Sequence, residues 1–415
     1  MELAAETETQ RVPKGYKQTE VGMIPEDWEV VEIGELCFPS SKRINPLTSD
    51  KNFKCIELEH LEQETGRLLG YTFLKKLKSH KTFFEKGDVL FGKLRPYLRK
   101  FHFALFDGVC TTEVWVLKKK ENLFNKWLYY IIQSDRFIDS ANQSTGTRMP
   151  RAEWNVVEKT LIPLPPTLAE QRAIATVLSG TDALIQALEK KIAKKKLIKK
   201  GVMQELLRPK EGWEEVTFES LCKTFTKQTG FDYTTHIKPT LCSSYRKGTI
   251  PFIQNKDFEG FWFNFETDFY IPEKVADKFP MILLDERCLL ISISGKIGNV
   301  GVFNNTRKSF IGGAIAIGKF KDQNLLNWVM IYLQSEDGQS KLFNNVKAGS
   351  HQNLILDDIR KLVIPIPLEE DQTHIAQILS DMDKEIEALE QKLEKYQLAK
   401  QGMMQQLLTG KIRLV

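Results

Sequence analysis

The segment LIPLPPTLAEQRAIATVLSGTDALIQALEKKIAKKKLIKKGVMQELL at residues 161–207 recurs as VIPIPLEEDQTHIAQILSDMDKEIEALEQKLEKYQLAKQGMMQQLL at residues 363–408. The two copies align at an offset of 201 residues, so that Gln171 matches Gln372 and Asp182 matches Asp383. A long internal repeat indicates that the fold itself is repeated. The order along the chain is therefore a variable region and a shared segment, followed by a second variable region and a second shared segment.

The shared segments have the pattern of long helices. Pro163, Pro165 and Pro166 cannot lie inside a helix, and Thr167 with Glu170 has the spacing of a capping box. Beyond them the apolar residues step by four and then three positions, which is typical of a coiled coil. Each helix spans about 38 residues, or roughly 57 Å at 1.5 Å per residue. The residues predicted to pair the helices are Ile174, Leu178, Ile185, Leu188, Ile192, Ile375, Leu379, Ile386, Leu389 and Leu393.

Charge favours pairing between the unlike copies. Residues 168–210 carry ten basic and four acidic side chains, whereas residues 369–415 carry six basic and nine acidic ones. Helices of opposite net charge attract, and like copies repel. A two-fold relation between the halves would make the helices antiparallel, and a translational repeat would make them parallel. We expect the antiparallel arrangement, because a two-fold arrangement is closed and leaves no helix end unpaired. An interruption of the first helix near Ser179-Gly180 is the alternative, since glycine weakens a helix interior.

The two variable regions, which we call the first body (residues 38–162) and the second body (residues 223–364), have mixed α and β patterns. The sequence predicts strands rich in β-branched and aromatic residues, and one helix in each body. The strands are expected at 87–94, 109–117, 258–266, 287–295 and 312–320, and the helices at 124–138 and 325–334. WEVVEIGELC at 28–37 is echoed by WEEVTFESLC at 213–222. We therefore expect two α/β (α+β) domains of one fold, related by a pseudo-two-fold repeat.

The predicted domain boundaries follow from this repeat. They are a first recognition-type domain at 1–162, a helical spacer at 163–208, a second domain at 209–364 and a second spacer at 365–415. No apolar run approaches the roughly 18 residues that a membrane span needs. The six cysteines include no C-x-x-C pair, which argues against a zinc ribbon. With no hydrophobic signal region at the start, we expect a cytoplasmic protein.

The sequence shows no catalytic constellation of a common kind. GKIG at 295–298 lacks the upstream glycine of a phosphate-binding loop, and H-E-x-x-H and G-x-S-x-G motifs are missing. Glu189 with Lys191, and Glu390 with Lys392, form E-x-K matches, but on a helix these are far more typical of surface ion pairs than of a nuclease metal site. We therefore expect a non-catalytic chain without a metal or cofactor of its own.

Basic and amide side chains form clusters that could contact DNA. Phosphates are bound by Lys and Arg on loops, and bases are read by Arg, Lys, Asn and Gln on a rigid backing. Each cluster taken alone is better explained by a solvated loop, but the recurrence of the clusters in both bodies favours DNA binding. The candidates are Lys93, Arg95, Arg99, Lys100, Thr147, Arg148, Arg151, Tyr245, Arg246, Lys247, Lys296, Asn299, Ser350, His351 and Gln352.

Two further features have more than one interpretation. The run Lys190–Lys200 contains seven lysines, which we interpret first as a solvated face of the coiled coil and second as a contact for phosphates or an acidic partner. The aromatic stripe FWFNF at 261–265 is more typical of a core than of a base-stacking platform.

Taken together, the chain resembles the specificity subunits of type I restriction–modification systems over essentially its whole length. The resemblance rests on IPEDW at 24–28 and GW at 212–213, on the paired IPLPP and IPIP exits, and on the helices that start at Gln171 and Gln372. It departs from them at the acidic extension, residues 1–11.

This resemblance implies a DNA sequence-recognition subunit that reads a bipartite site in double-stranded DNA with two target recognition domains. It also implies a helical ruler between them, and a scaffold for two modification (methyltransferase) subunits and for restriction subunits. Those partners would supply the chemistry of S-adenosylmethionine, ATP and Mg²⁺, as an adenine-specific methyltransferase and ATP-dependent endonuclease. Two other classes stay open at this point: a coiled-coil adaptor with two protein-binding modules, and a self-contained nuclease.

Overall fold

The structure is a computed structural model that describes residues 12–143, 149–304, 306–344, 346 and 352–414. These residues form two compact units. The first unit combines the described residues up to Lys190 with those from Gln391 onward, and the second is Lys191–Glu390. The units differ from the domains predicted from the sequence, because each long helix contributes one part to each unit.

The first unit contains thirteen described strands and the first five helices. The strands are β1 (Tyr16–Thr19), β2 (Gly22–Pro25), β3 (Glu29–Glu32), β4 (Cys37–Pro39), β5 (Arg43–Ile44), β6 (Lys54–Ile56), β7 (Thr72–Phe73), β8 (Lys81–Phe84), β9 (Val89–Gly92), β10 (Phe101–Phe103), β11 (Gly108–Cys110), β12 (Val114–Lys119) and β13 (Leu161–Leu164). The helices are α1 (Ile33–Leu36), α2 (Asn125–Ile131), α3 (Asp135–Ala141), α4 (Trp154–Val157) and the first part of α5 (Leu168–Leu206).

Two sheets make up the first body. One has the order β10-β9-β12-β4 and is antiparallel throughout. The other has the order β5-β8-β11-β6-β7, in which only β11 and β6 run parallel. Strand β13 pairs with β3, so the exit from the body is tied to its entrance immediately before α5 begins.

The second unit repeats this series of elements. Its strands are β14 (Glu214–Thr217), β15 (Cys222–Lys227), β16 (Thr249–Ile253), β17 (Phe258–Glu259), β18 (Trp262–Phe263), β19 (Tyr270–Pro272), β20 (Leu283–Leu284), β21 (Cys288–Ser292), β22 (Val300–Phe303), β23 (Ser309–Ile311), β24 (Ile315–Phe320) and β25 (Val363–Ile366). Its helices are α6 (Phe218–Leu221), α7 (Gly230–Asp232), α8 (Glu273–Ala276), α9 (Leu325–Gln334), α10 (Glu336–Phe343), α11 (Leu356–Arg360) and the first part of α12 (Glu369–Leu407).

The strand orders of the second body match those of the first. Its antiparallel sheet runs β15-β24-β21-β22, which corresponds strand for strand to β4-β12-β9-β10. Its other sheet runs β19-β16-β23-β20, with β16 and β23 parallel, and corresponds to β7-β6-β11-β8. Strand β25 pairs with β14 as β13 pairs with β3. The predicted repetition of one α/β fold is therefore confirmed, although the two bodies share little sequence.

Three of the predicted elements are wrong in detail. The stretch 109–117 was expected as one strand but forms β11 and β12, which belong to different sheets. The stretch 258–266 forms the short hairpin β17–β18, because Gly260 turns the chain with φ +60°. The expected helix at 124–138 is two helices, since the Ser134 hydroxyl accepts a hydrogen bond from the Phe137 amide and starts α3 anew.

The helices α5 and α12 each run unbroken for 39 residues, so the break considered near Gly180 does not occur. In the first unit Asp182 pairs with Lys400 and Glu170 with Arg413, so residue numbers rise on one segment as they fall on the other. In the second unit Lys195 pairs with Glu385 and Lys199 with Asp383, which gives the same direction. The predicted antiparallel pairing is thus confirmed within each unit.

The residues predicted to pair the helices are all withdrawn from solvent. Six are buried, namely Ile174, Leu178, Ile192, Ile375, Leu379 and Ile386, and four are half-buried, namely Ile185, Leu188, Leu389 and Leu393. In the first unit Ile174 and Leu178 belong to the same apolar cluster as Trp127 and Leu407. In the second unit Ile375 and Leu379 join the cluster of Trp328 and Leu207. Each body is therefore packed onto a helix of its own unit. Among the described residues, no helix is both long and apolar enough to cross a membrane.

Candidate nucleic-acid interface

In the first body, the loop after β9 and the loop before α4 are joined through their backbones. Leu94 and Arg151 form an isolated antiparallel bridge, the Arg95 amide donates to the Pro150 carbonyl at 2.8 Å, and the Ala152 amide donates to the Lys93 carbonyl at 2.8 Å. We call residues 93–100 and 149–152 the first loop pair. Two stretches that the sequence singled out separately therefore form one surface.

Two basic residues of this loop pair are bound within the first unit. The Arg99 guanidinium donates to the Gln133 carbonyl at 3.0 Å and to Asp135 Oδ1 at 2.5 Å. Lys100 Nζ donates to the Leu58 carbonyl at 2.6 Å. These side chains hold the loop against α3 and the residues after β6, which leaves them less free to contact a ligand.

The other side chains of the first loop pair differ in their exposure and in their bonding partners. Arg95 and Tyr97 are exposed, Tyr97 at 51%, and Lys93 is half-buried. Arg151 forms an exposed ion pair with Glu113, with Nε and Oε2 3.0 Å apart. Arg95 and Arg99 both have left-handed backbone conformations, with φ +53° and +47°, on either side of a 3-10 turn at Pro96–Leu98. Such conformations are costly for non-glycine residues and persist where the surrounding structure imposes them.

The second body has the same construction at the corresponding place. Ser294 and Asn353 form the bridge that matches Leu94 and Arg151, and the Leu354 amide donates to the Ile293 carbonyl at 2.9 Å. We call residues 293–299 and 352–354 the second loop pair. The Asn255 amide group donates to the Ser294 carbonyl at 2.8 Å and adds a third segment. The repeated fold therefore brings two loops together in each body.

The side chains of the second loop pair differ from those of the first. Lys296 and Gln352 are exposed and Asn299 is half-buried. The position of Arg95 is taken by Gly295, which has a similar left-handed φ of +74°. The two loop pairs thus share a backbone arrangement while presenting different chemistry.

Tyr245, Arg246 and Lys247 lie away from the second loop pair. They are exposed and precede β16, whereas Asn255 follows its other end. The five residues of β16 span roughly 16 Å at about 3.3 Å per residue. The guanidinium of Arg307 lies 5.6 Å from the ring of Tyr245, a basic neighbour that the sequence reasoning missed. The structure therefore does not unite this cluster with Lys296 and Asn299. Four other candidates, Thr147, Arg148, Ser350 and His351, lie outside the described residues.

Two buried titratable groups, one in each body, have pKa values shifted by their surroundings. Burial lowers the pKa of His102, which lies on β10 with Nδ1 2.9 Å from the Gly66 carbonyl. Burial raises the pKa of Asp257, whose Oδ2 accepts a hydrogen bond from the Gln254 amide at 2.8 Å beside Asn255. In both cases the low-polarity surroundings disfavour the charged form.

The lysine run on α5 is engaged in ion pairs within the second unit. Lys195, Lys196 and Lys199 pair with the acidic residues Glu385, Glu390 and Asp383 of α12, and Lys200 pairs with Glu336 of α10. Five of the seven lysines are exposed, as expected for a solvated face, and four of the seven also pair with acidic neighbours. This agrees with the charge contrast between the two shared segments.

The E-x-K matches and the aromatic stripe can also be placed. Glu189 accepts from Arg67 at 2.8 Å and Glu390 from Lys196 at 2.7 Å, so both glutamates are in ion pairs. Among the described residues no group of acidic, histidine or cysteine side chains could hold a metal ion. Interpreting FWFNF as core was wrong for Trp262, which is 72% exposed on the hairpin β17–β18, and for the exposed Phe261. Both residues come directly after Gly260, at the turn of the hairpin.

One ionic cluster in the first unit was not predicted from the sequence. Arg413, near the end of the chain, donates to both oxygens of Glu170 at 2.9 Å and to Asp27 at 2.9 Å. The Glu170 side chain is only 1% exposed. Hydrogen bonding to Glu170, and then to Asp27, raises the pKa of Arg413 above its ordinary value. Glu170 was predicted as part of a capping box. Thr167 Oγ1 does accept from the Glu170 amide, but the carboxylate is bound by Arg413.

Comparison with known proteins agrees with this architecture. A family model described as the type I restriction modification DNA specificity domain matches residues 25–197 and again residues 210–396. The type I restriction enzyme MjaVIII specificity subunit of Methanocaldococcus jannaschii is 25% identical to this chain, covering 97% of it and 96% of that protein. The type I restriction enzyme EcoDI specificity subunit of Escherichia coli is 27% identical over 43% of this chain and 40% of its own length.

Two solved structures are similar in fold. A chain of "Structural basis underlying complex assembly and conformational transition of the type I R-M system" is 20% identical, covers 94% of this chain and 99% of its own, and has a TM-score of 0.64. The type I restriction–modification S subunit from M. genitalium is 14% identical, with a TM-score of 0.52 and coverage of 92% and 96%.

Proposed function

Because the chain belongs to the type I restriction–modification DNA specificity family, it is a non-catalytic DNA sequence-recognition subunit, and we propose that each of its two bodies reads one half of a bipartite target. The observation that carries this proposal is the repeated loop pair. The bridges Leu94–Arg151 and Ser294–Asn353 occupy matching places in the two bodies. A repeated surface on a repeated fold is what two separate readers require.

The two half-sites differ in sequence because the two loop pairs differ in side chains. The first presents Arg95 and Tyr97, and the second presents Lys296 and Gln352. Direct reading of bases depends on the donors and acceptors that a protein offers in the major groove. Two loop pairs with a similar backbone but different hydrogen-bonding side chains therefore select different base sequences.

The helices α5 and α12 set the gap between the half-sites. Each is 39 residues long, which corresponds to roughly 58 Å at 1.5 Å per residue. Within each unit their antiparallel segments are joined by ion pairs and apolar contacts. A spacer of fixed helical length would make the length of the unread gap a property of the protein.

The chain also assembles with other subunits, and we place it in the cytoplasm with two modification subunits and with restriction subunits. Binding of S-adenosylmethionine, ATP and Mg²⁺ then belongs to those partners.

The ruler is tested by inserting one heptad into each of α5 and α12 at matching positions. Seven residues add about 10 Å to a helix, or about three base pairs of B-DNA at 3.4 Å each. Sequencing the methylated sites in cells that carry the variant and its partner subunits should show unchanged half-sites with a longer gap. A variant of equal activity with the original gap would contradict the ruler.

Binding to DNA is tested directly with the assembled methyltransferase and a duplex that carries the methylated motif. Release of counterions from phosphates predicts that affinity falls steeply as salt rises, with a linear relation between the logarithms. A matched duplex with one scrambled half-site is the control and should bind more weakly. Equal affinity for both duplexes would show that the chain acts as an adaptor without sequence recognition.

A further inference from the structure

We propose that Arg95 reads a guanine in the first half-site, and that Arg99 and Lys100 act only by positioning its loop. This inference rests on the proposed function and assigns one base contact to one residue. It separates three basic side chains that lie within six residues of one another and that sequence alone treats as equivalent.

The backbone around Arg95 is fixed on both sides. The Arg95 amide is bound to the Pro150 carbonyl, and Lys93 and Leu94 are bridged to residues 151 and 152. The Arg95 carbonyl accepts from the Leu98 amide at 2.9 Å, which closes the 3-10 turn. Pro96, the next residue, is buried. A side chain that starts from such a backbone loses less conformational entropy when it makes an ordered contact.

Three of the neighbouring basic groups are already occupied. Arg99 is bound to Gln133 and Asp135, Lys100 to Leu58, and Arg151 to Glu113. Within the part of the chain that the structure describes, the Arg95 side chain has no hydrogen-bond or ion-pair partner, and it is exposed. The first loop pair therefore offers one exposed and uncommitted guanidinium, and its remaining basic side chain, Lys93, is half-buried.

The chemistry of that guanidinium points to guanine. Its planar donors match the O6 and N7 acceptors of guanine in the major groove, and this bidentate contact discriminates against other bases by about tenfold to hundredfold. Tyr97, two residues on, is exposed beside it and can pack against the base edge or the sugar. A contact to a phosphate carries no sequence information, so it would not need a rigid backbone to hold the side chain.

The second body supplies a natural comparison. Gly295 has the same left-handed backbone as Arg95 and no side chain, so this contact is missing from the second half-site. Arg95→Gly therefore removes the guanidinium and leaves a residue suited to φ +53°. The variant changes the reading group without adding backbone strain.

The experiment is to sequence the methylated motif of the assembled enzyme carrying Arg95→Gly, Arg95→Lys or the control Arg43→Ala. Arg43 is an exposed arginine of β5 in the same body, and its removal changes the net charge equally. We expect Arg95→Gly to relax one guanine position of the first half-site to all four bases. The second half-site and the gap should stay unchanged, which also shows that the variant is folded and assembled. Arg95→Lys should retain a partial preference for guanine, and Arg43→Ala should keep the whole motif.

Two outcomes would overturn the assignment. One is an Arg95→Gly motif identical to the original. The other is binding that weakens equally for all sequences while the salt dependence falls by about one phosphate contact, which would place Arg95 on the backbone of DNA. If the unaltered protein itself yielded no bipartite motif, the proposed function would fail before the inference was reached.

Discussion

Lys400 Nζ lies 2.7 Å from Asp182 Oδ1, and joins α12 to α5 in the first unit. The Tyr130 hydroxyl donates to the other oxygen of Asp182 at 2.8 Å, which ties the body to the same carboxylate. The repeat-equivalent residues, Lys199 and Asp383, form the same pair in the second unit. Each shared segment thus contributes the aspartate to one pair and the lysine to the other, so this contact repeats with the fold.

The two copies of this ion pair should differ in strength. Asp182 and Lys400 are 24% and 15% exposed, whereas Asp383 is 59% exposed. Lys400→Ala should lower the free energy of unfolding by about 2 kcal/mol, because it leaves a shielded carboxylate with one partner fewer. Lys199→Ala should cost less than about 1 kcal/mol, since the pair is largely solvated. Urea unfolding of both variants measures the difference, and equal losses would contradict it.

Arg413 should be needed for the stability of the first unit although only two residues follow it in the sequence. Arg413→Ala leaves the buried Glu170 carboxylate without its two hydrogen bonds, and the expected loss is about 3 kcal/mol. The double variant Arg413→Ala with Glu170→Gln removes the unpaired charge and should recover part of that loss. A double variant as unstable as Arg413→Ala would show that the ion pair itself is not the cause.

Stability should fall below about pH 6.5 in part because of His102. Burial lowers the pKa of His102 in the folded protein, so the unfolded chain binds a proton that the folded one resists. The stabilising contribution is complete above the ordinary histidine pKa of about 6.5 and is lost as pH falls toward the lower folded value. His102→Asn should flatten the change in unfolding free energy between pH 7 and 5. His80→Asn, at an exposed position, is the control, and the same pH slope in both variants would refute the assignment.

The long helices and the repeat could be predicted because they depend on local rules. Prolines stop a helix, apolar residues at steps of four and three make a stripe, and identical residues at one offset mark two copies. These rules hold along the sequence without knowledge of the tertiary contacts. They placed the pairing residues, from Ile174 to Leu393, at positions that the structure withdraws from solvent.

The candidate interface was harder to predict because it depends on contacts between distant parts of the chain. Arg95, Arg99 and Lys100 share one loop, and only tertiary contacts with Pro150, Gln133 and Leu58 distinguish them.

Strand assignments failed for a similar reason. Residues 109–117 are rich in β-branched and aromatic side chains, and nothing local shows that β11 and β12 enter different sheets. Trp262 was misassigned because an aromatic residue has the same pattern in a core and on an exposed hairpin.

The central claim is that the two bodies read independently. It is tested most directly by replacing residues 38–162 with the corresponding body of another family member, and sequencing the methylated sites of the assembled enzyme. We expect one half-site to change completely, while the other half-site and the length of the gap are retained. A change in both half-sites, or in neither, would contradict it.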